Sequence, residues 1–315
     1  MIFCCGEALI DMIPEPTKAG ADGFVPHVGG AVFNTAMALG RLGAPTGLLT
    51  GLSEDLFGRR LRAALEESGV DASRAVRSRR PTTLAFVTLA DGQATYDFYD
   101  ENSAGRMLRP ADMPPLGPEV GALFFGGVSL AAEPCADAYE ALLTRERAGR
   151  AVMLDPNIRP DFIADEARFR ARLGRMMARA DIVKISREDL DWLEPDGASL
   201  AERAARIRAL GPAIVVATAG ADGARAFFGD GEEVSVAAPK VEVVDTVGAG
   251  DAFNAGVLAS LWEAGLLSPA AIRGIGADAL RAALSFAATV ASLTVTRRGA
   301  SPPWRRELPA GMRGA

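Results

Sequence analysis

The sequence predicts an α/β protein with a doubly wound, mainly parallel sheet, helices on both faces and a small inserted β-sheet. Three observations lead to this prediction. Apolar runs of strand length alternate with segments of helical periodicity along most of the 315 residues, and such alternation favours a parallel sheet covered on both faces. The alternation stops between residues 77 and 104, where two β-type runs follow one another. The composition is that of a globular protein, with 49% hydrophobic and 23% charged residues.

The N-terminal quarter supplies two strand–helix pairs. Ile2–Leu9 is predicted as a strand and Val32–Leu42 as a helix, because apolar side chains in the second segment recur at helical spacing. A strand over Thr46–Leu52 and a helix over Leu56–Ser68 follow, and Gly69 ends that helix.

The second half of the chain repeats the pattern. Five more strands are predicted from short apolar runs: Ala122–Phe125, Ala151–Leu154, Ile182–Ile185, Ala213–Ala217 and Val241–Val244. Helical segments lie between most of them, as a parallel sheet requires.

The inserted sheet is predicted from a hairpin signal. Thr82–Leu89 and Thr95–Tyr99 are β-type runs joined by Asp91-Gly92, and Phe24–Val28 is a further extended segment. Such a small antiparallel sheet serves either as a lid over a site or as a decoration of the sheet edge. We assign residues 13–28 and 77–104 to this β lid, and residues 1–12, 29–76 and 105–315 to the core.

Charge and cysteine content exclude several classes of protein. The formal net charge of −6 gives no electrostatic support for nucleic-acid binding. Three cysteines form an odd, sparse set, which is typical of a reducing compartment. Glu7 and Asp11 come too early for a signal peptide, and the longest uncharged stretch, Ala282–Thr296, is shorter than a membrane span. We therefore expect a cytoplasmic protein that binds neither nucleic acid nor membrane.

The histidine count constrains the chemistry. His27 is the only histidine of the chain, so a His-dependent triad and a multi-histidine metal site are excluded. Acid–base catalysis must rest on carboxylates, Lys, Tyr or Cys.

The most informative motif is the segment from Val241 to Phe253, which predicts a strand, a glycine loop and a helix. Gly248, Ala249 and Gly250 lack bulky side chains, so their backbone N–H groups can approach an anion at the positive end of the following helix. No Gly-Lys-Ser/Thr follows as in a Walker A loop, and the dinucleotide fingerprint is absent. Asp251 either accepts the proton of an attacking hydroxyl or caps the helix.

Polar residues suited to a polyol follow the first strand and precede the first helix. Gly29 and Gly30 allow close approach of a ligand, and Asn34 offers both a donor and an acceptor. Asp11 follows the first strand, where open α/β sheets bind ligands, and Arg159 follows a later strand. A plain turn and solvated surface charges are the alternatives for these residues. Thr218, Gly220 and Gly223 either support a nucleotide or form a turn.

These segments together resemble the signatures of the PfkB, or ribokinase-like, carbohydrate kinases. The two main matches are Gly-Gly-x-x-x-Asn at 29–34 and Asp-Thr-x-Gly-Ala-Gly-Asp at 245–251. The resemblance covers essentially the whole chain. It also includes these segments: Gly6-Glu-Ala-Leu-Ile-Asp11, Asp155-Pro-Asn-x-Arg159, Thr218-x-Gly-x-x-Gly223 and Val295-Thr-Arg-Arg-Gly-Ala300.

The resemblance implies a ribokinase-like core with a β lid, and phosphorylation of a sugar hydroxymethyl group by Mg-ATP. It implies Asp251 as the base, and the backbone of Val247, Gly248, Ala249 and Gly250 as the anion hole. The sugar-binding residues it implies are Asp11, Gly29, Gly30, Asn34 and Arg159. The nucleotide-binding residues it implies are Lys184, Ser186, Thr218, Gly220, Gly223, Gly248 and Gly250. The metal ligands it implies are Glu188 and Asp189 for Mg²⁺, and Asp245, Val247 and Gly299 for K⁺ in members that use it.

Within the family, the lid stretch at 96–104 and the other segments are most similar to bacterial fructokinases, with fructose 6-phosphate as product. 2-Keto-3-deoxygluconate kinases share several features, and a sugar-binding regulator without catalysis is an alternative of another class. Two positions depart from the family pattern: Ser186-Arg-Glu-Asp189 replaces Asn-x-x-Glu, and Ala288 replaces an Asn beside the adenine. The partners expected are a sugar, ATP and a second copy of the chain through the lid.

Overall fold

The computed structural model describes residues 1–21, 23–90 and 93–313. Its strands are, in chain order, β1 (Ile2–Cys5), β2 (Leu9–Pro14), β3 (Phe24–Gly29), β4 (Thr46–Leu49), β5 (Gly51–Ser53), β6 (Val70–Asp71), β7 (Val76–Ser78), β8 (Thr83–Ala90), β9 (Gln93–Tyr99), β10 (Ala122–Gly126), β11 (Ala151–Asp155), β12 (Ile182–Ser186), β13 (Ile214–Thr218), β14 (Ala224–Phe228) and β15 (Glu232–Val236). Its α-helices are α1 (Ala31–Arg41), α2 (Leu56–Glu67), α3 (Cys135–Glu146), α4 (Glu166–Met177), α5 (Arg187–Leu193), α6 (Leu200–Leu210), α7 (Ala249–Glu263), α8 (Pro269–Arg273) and α9 (Ala277–Thr294).

Nine strands form the central sheet in the order β15-β14-β13-β12-β11-β10-β1-β4-β6. Pairing is parallel from β13 through β6, and only β14 and β15 add antiparallel pairs at one edge. The order runs outward in both directions from β1 and β10, as in a doubly wound sheet. The predicted fold class is confirmed.

Helices cover both faces of this sheet, and each face has its own hydrophobic core. Alternate residues of a strand point to opposite faces, so Cys4 joins one core while its neighbours Phe3 and Cys5 join the other. The first core packs against α1, α2, α7 and α9, and the second against α3, α4 and α6. Within the described ranges, no helix combines the length and the apolar character needed to cross a membrane.

A second sheet of four strands, in the order β3-β2-β8-β9, stands apart from the central sheet. It is mixed rather than purely antiparallel, because β2 and β8 run parallel. Strand β2 begins at Leu9 and strand β3 ends at Gly29, so this sheet includes residues that we had assigned to the core from the sequence. The predicted hairpin residues Asp91 and Gly92 lie outside the described residues.

The predicted first strand is two strands. The chain leaves the central sheet after Cys5 and enters the second sheet at Leu9. At Gly6 it passes so close to α1 that a Cβ would lie 2.4 Å from Cγ2 of Val32. The predicted strand Thr46–Leu52 is divided in the same way, into β4 and the short β5.

The predicted strand Val241–Val244 is wrong. This segment has no strand partner, and its valines at 241, 243 and 244 are exposed. The antiparallel pair β14 and β15 occupies the sheet edge instead, and the backbone N–H of Val244 donates to the carbonyl of Val295 at 2.8 Å. Val241 and Val243 line a cavity instead.

Helix α7 is held by close contact with α9. A Cβ on Gly256 would lie 2.5 Å from Cα of Ala287, so the two backbones approach more closely than any side chain at this position allows. Nearly every residue of α7 from Asp251 to Leu261 is buried.

We predict that Gly256→Ala destabilises the protein by about 1–3 kcal/mol, because the added methyl group overpacks the α7–α9 contact. Gly174→Ala is the matched control in helix α4, where nothing lies within 4 Å of an added Cβ. That control should stabilise the protein by up to about 1 kcal/mol through helix propensity. Urea unfolding measures both values, and equal effects at the two glycines would contradict the packing argument.

Candidate active site

Two cavities lie where strands β11, β12 and β13 end, at the edge of the sheet where open α/β proteins bind ligands. The first has a volume of about 310 Å³ and the second about 600 Å³. Thr246, Ala249 and Gly250 line both of them. The first turn of α7 therefore stands at the junction of the cavities.

The backbone at this junction depends on glycine. Gly248 precedes α7 in the left-handed conformation, with φ of 78°, which glycine adopts without steric cost. A Cβ there would also lie 2.7 Å from Cβ of Ala300. The first N–H groups of a helix have no intrahelical acceptor, and the N–H of Ala249 donates to the carbonyl of Thr246, outside the helix, at 3.3 Å. The turn at Ala249–Gly250 lines both cavities, and the positive end of the helix dipole faces them.

Asp251 does not cap α7. The residue at the cap position is Gly248, and no side chain bonds the helix start. The Asp251 carboxylate lines the first cavity, and its Oδ2 accepts a hydrogen bond from Nδ2 of Asn34 at 2.9 Å. The alternative of a capping role is thereby excluded.

Burial controls the protonation of Asp251. Removal of the carboxylate from water raises its pKa from 3.8 to about 7. The bond from Asn34 and the charge of Lys184 oppose this rise, while the charges of Asp155 and Glu7 add to it. Asp251 thus exchanges its proton near neutral pH, as a general base requires.

The predicted sugar-binding residues meet in the first cavity, with one exception. Asp11, Gly30, Asn34 and Arg159 line it, and burial raises the pKa of Asp11 to about 6. Gly29 does not line the cavity. A Cβ on it would lie 2.0 Å from Oδ2 of Asp11, so this glycine makes room for the Asp11 carboxylate.

Further residues of the first cavity were not predicted as site residues: Glu7, Tyr96, Phe98, Gly127 and Asn157. Lys184, which was predicted to bind the nucleotide, also lines this cavity. Oxygens of the buried Glu7 carboxylate accept from the backbone N–H of Val32 at 3.4 Å and of Ser129 at 3.2 Å. Glu7 therefore ties the start of α1 to the turn after β10. Its place in the Gly6–Asp11 segment was the available signal.

The lid closes one side of the first cavity with aromatic rings. Tyr96 and Phe98 from β9 line the cavity, and Phe98 makes an edge contact with Phe162 of the core, with centroids 4.7 Å apart. Asn157, which also lines the cavity, has a φ of 44°. Left-handed backbone at a residue other than glycine is concentrated at functional sites.

The second cavity contains the predicted nucleotide residues Thr218, Gly220 and Gly223. Gly223 has a φ of 91°, and a Cβ on it would lie 2.1 Å from the carbonyl oxygen of Val236. Most of the lining is apolar, and Val241 and Val243 belong to it. This location explains why a strand was wrongly predicted there, since the valines face a ligand cavity instead of a core.

The predicted nucleotide residue Ser186 and the predicted magnesium ligands Glu188 and Asp189 lie outside both cavities. Ser186 caps α5, where its Oγ accepts from the N–H of Asp189 at 3.0 Å. Glu188 is exposed. Asp189 is buried, and its Oδ1 accepts from the N–H of Ile158 at 2.9 Å. Among residues 1–21, 23–90 and 93–313, no group of three or more His, Cys, Asp or Glu could hold a metal ion.

The residues predicted for a monovalent cation are brought together by Asp245. Its Oδ1 accepts from the N–H of Val247 at 3.0 Å, and its Oδ2 accepts from the N–H of Gly299 at 2.8 Å. Asp245 thus joins the loop before α7 to the segment after α9, directly beside Gly248.

A parallel sheet with a helix start that lines two cavities, and a buried carboxylate in one of them, suits a kinase of small molecules. The model of the pfkB family of carbohydrate kinases matches residues 1–306. The chain belongs to this family.

Individual relatives are similar over most of their length. A fructokinase of Rhizobium leguminosarum bv. trifolii is 52% identical over 283 residues, which cover 89% of this chain and 86% of the relative. The solved structure of a Xylella fastidiosa fructokinase with bound ATP has a TM-score of 0.86 at 30% identity, with 95% of this chain and 93% of that chain covered. A Vibrio cholerae fructokinase double mutant with fructose, ADP and potassium has a TM-score of 0.81 at 25% identity, with 95% and 93% covered.

We predict that Asp251→Asn makes the protein more stable, and that the gain grows with pH. The folded state holds the Asp251 proton up to about pH 7, whereas the unfolded chain releases it near 3.8. The wild type therefore loses stability as pH rises between these values, and the Asn variant does not. Urea titrations between about pH 4 and 8 should show a difference on the order of a few kcal/mol at the upper end.

Asp278→Asn is the control for this prediction, because Asp278 lies in the first turn of α9 and is exposed. Its effect on the free energy of unfolding should be small at every pH. A pH-independent difference for Asp251→Asn would show that burial does not perturb this carboxylate.

Proposed function

We propose that this protein is an ATP-dependent fructokinase, which transfers the γ-phosphate of ATP to the 6-hydroxyl of D-fructose. The proposal rests on the first turn of α7, which lines both a polar cavity and a larger apolar cavity, and on the Asp251 carboxylate, which lines the polar one. The choice of fructose rests on the identity of 52% with the Rhizobium fructokinase.

Fructose would occupy the first cavity. Its hydroxyls would bond to the carboxylate of Asp11, the amide of Asn34 and the guanidinium of Arg159, all of which line that cavity. The rings of Tyr96 and Phe98 on the lid would cover the sugar and exclude water, so that the phosphate is transferred to the sugar and not to water.

ATP would occupy the second cavity. The base and ribose would lie against Thr218, Gly220 and Gly223, and the apolar wall would contact the base. The phosphates would then extend toward Ala249 and Gly250, which line both cavities. This placement puts the γ-phosphate at the anion-binding helix start.

The reaction needs one base and a stabilised anion. The 6-hydroxyl oxygen of fructose forms the new bond to the γ-phosphorus, and the bond from that phosphorus to the β,γ-bridging oxygen breaks, which releases ADP. Asp251 takes the hydroxyl proton. The N–H groups and dipole of the first turn of α7 stabilise the charge on the equatorial oxygens of the phosphoryl group.

Mg²⁺ would supply charge neutralisation at the phosphates when it is bound with ATP. Because Glu188 and Asp189 line neither cavity, and no multi-carboxylate group of the described residues is suited to a metal, we propose that phosphate oxygens and water provide most of its ligands. We assign no protein residue to this ion.

Three finer points belong to the proposal. Asp245, Val247 and Gly299 would form a loop that responds to potassium. A comparison of activity in potassium and in sodium tests this point.

The face of the lid with Phe24, Phe86 and exposed Tyr99 would join two copies of the chain. Light scattering tests this point. The reaction would take place in the cytoplasm, which suits three free, buried cysteines.

We predict sugar-dependent ADP release from Mg-ATP with fructose, and at least about 10-fold less with 2-keto-3-deoxygluconate, ribose, glucose, tagatose or adenosine. The ratio of kcat/KM values across this panel is the measurement. Preference for another sugar would retain the kinase and reject fructose. Sugar binding in a calorimeter without any ADP release would instead support a non-catalytic sugar-binding protein.

We predict that kcat/KM falls about tenfold per pH unit below an apparent pKa near 7, because only ionised Asp251 accepts the proton. Asp251→Asn should lower kcat by roughly 10²–10⁴-fold, while Asp278→Asn should leave it unchanged. Asp11→Asn should weaken sugar binding. It should retain the fall of kcat/KM below pH 7, since the pKa of Asp11, about 6, is lower than that of Asp251. Near-normal turnover of Asp251→Asn would remove Asp251 from its role.

A further inference from the structure

A buried ion pair lies directly beside Asp251. Nζ of Lys184, on β12, donates to Oδ2 of Asp155 at 2.9 Å, where β11 ends. The same oxygen accepts from Nδ2 of Asn254 at 2.7 Å. Asn254 lies one turn after Asp251 on α7, so a single carboxylate oxygen connects two strands with the helix that carries Asp251.

The ammonium group of Lys184 faces the junction of the cavities. It lines the first cavity together with the first turn of α7, and a Cβ on Gly250 would lie 3.3 Å from Nζ. An ammonium group has three N–H donors, and Asp155 accepts one of them. The others are available to an anion at the helix start.

The pair also keeps the cation away from Asp251. Lys184 pairs with Asp155, while Asp251 bonds to Asn34. If Lys184 were free to pair with Asp251, the carboxylate would become a weaker base. Asp155 and Asn254 therefore separate the two charges that a phosphoryl transfer needs.

Lys184 remains charged despite its burial. Burial lowers the pKa of an ammonium group, but the charge and hydrogen bond of Asp155, with smaller contributions from Asp189 and Asp251, outweigh this effect and raise the pKa of Lys184. These three carboxylates come from β11, α5 and α7, the elements packed around the lysine.

We propose that Lys184 is a catalytic cation that contacts the transferred phosphoryl group, and that Asp155 and Asn254 are positioning residues that hold it against the first turn of α7. The proposal rests on the kinase function proposed above. A fixed cation that faces the equatorial oxygens stabilises the charge they carry in the transition state. Nothing in the spacing of residues 155, 184 and 254 indicates that they meet.

Lys184→Met should lower kcat for fructose and Mg-ATP by roughly 10²–10³-fold, the effect of losing one strong anion-binding donor. Asp155→Asn should lower kcat and introduce an alkaline limb, that is, a fall of kcat at high pH. The apparent pKa of this limb should lie at least about one pH unit below that of any such limb in the wild type. The reason is that the main group opposing the effect of burial is then lost, so that the pKa of Lys184 falls, although Asp189 and Asp251 still raise it.

The double variant Asp155→Asn/Lys184→Met separates positioning from an independent role. If Asp155 acts through Lys184, the double variant has about the same kcat as Lys184→Met and lacks the new alkaline limb. If the two losses multiply, Asp155 acts by itself and the proposal is overturned. Near-normal kcat of Lys184→Met overturns it as well.

Asp181→Asn is the matched control. Asp181 is buried, precedes β12 at the opposite end and accepts from the N–H of Val152 at 2.9 Å. Its variant should lose stability without a new alkaline limb. If Asp155→Asn does not fold, Asn254→Ala carries the test: a loss of kcat that Lys184→Met abolishes supports the proposal, and a loss that persists contradicts it.

The proposed function and this inference fail in different ways. No ADP release by the wild type with any sugar of the panel would refute the kinase function. An active wild type whose Lys184, Asp155 and Asn254 variants keep its kcat and its pH profile would refute the inference alone.

Discussion

The close approach of backbone at the start of α7 is the constraint on which the rest of the site depends. Gly248 has a left-handed φ with Ala300 against it, and Gly250 lies beside Nζ of Lys184. A side chain at Gly248 would clash with Ala300, and a side chain at Gly250 would crowd Nζ of Lys184 where the two cavities meet. Gly256 allows the same helix to pack closely against α9. Glycines therefore position both the N–H groups at the start of α7 and the Asp251 side chain.

Burial then strengthens the interactions among the charged groups of the site. Asp251, Asp155, Glu7 and Lys184 are all less than 9% exposed, in a region where charges interact more strongly than in water. The Asp251 carboxylate held there has a raised pKa, and its ionisation near neutral pH reduces the stability of the fold. Catalytic residues are commonly arranged in this way, because the environment that perturbs a carboxylate also makes it useful near neutral pH.

The sequence predicted local features well and contacts between distant elements poorly. The helix predicted at Val32–Leu42 is α1 (Ala31–Arg41), and the glycine loop before α7 was found because its residues are consecutive. The division of the first strand was missed, since both parts are apolar and only the turn at Gly6 separates them. Val241–Val244 was predicted as a strand because apolar residues that line a ligand cavity look like those of a core. The Asp155, Lys184 and Asn254 network joins three elements, which no local pattern reveals.

In the proposed reaction, Asp251 activates a sugar hydroxymethyl group in the first cavity for attack on ATP in the second. The most direct measurement is phosphorus NMR of the product formed from fructose and Mg-ATP. We expect a single phosphomonoester on C6 of fructose, equal in amount to the ADP formed. Inorganic phosphate without a sugar phosphate, or a phosphate on C1, would contradict the proposed reaction.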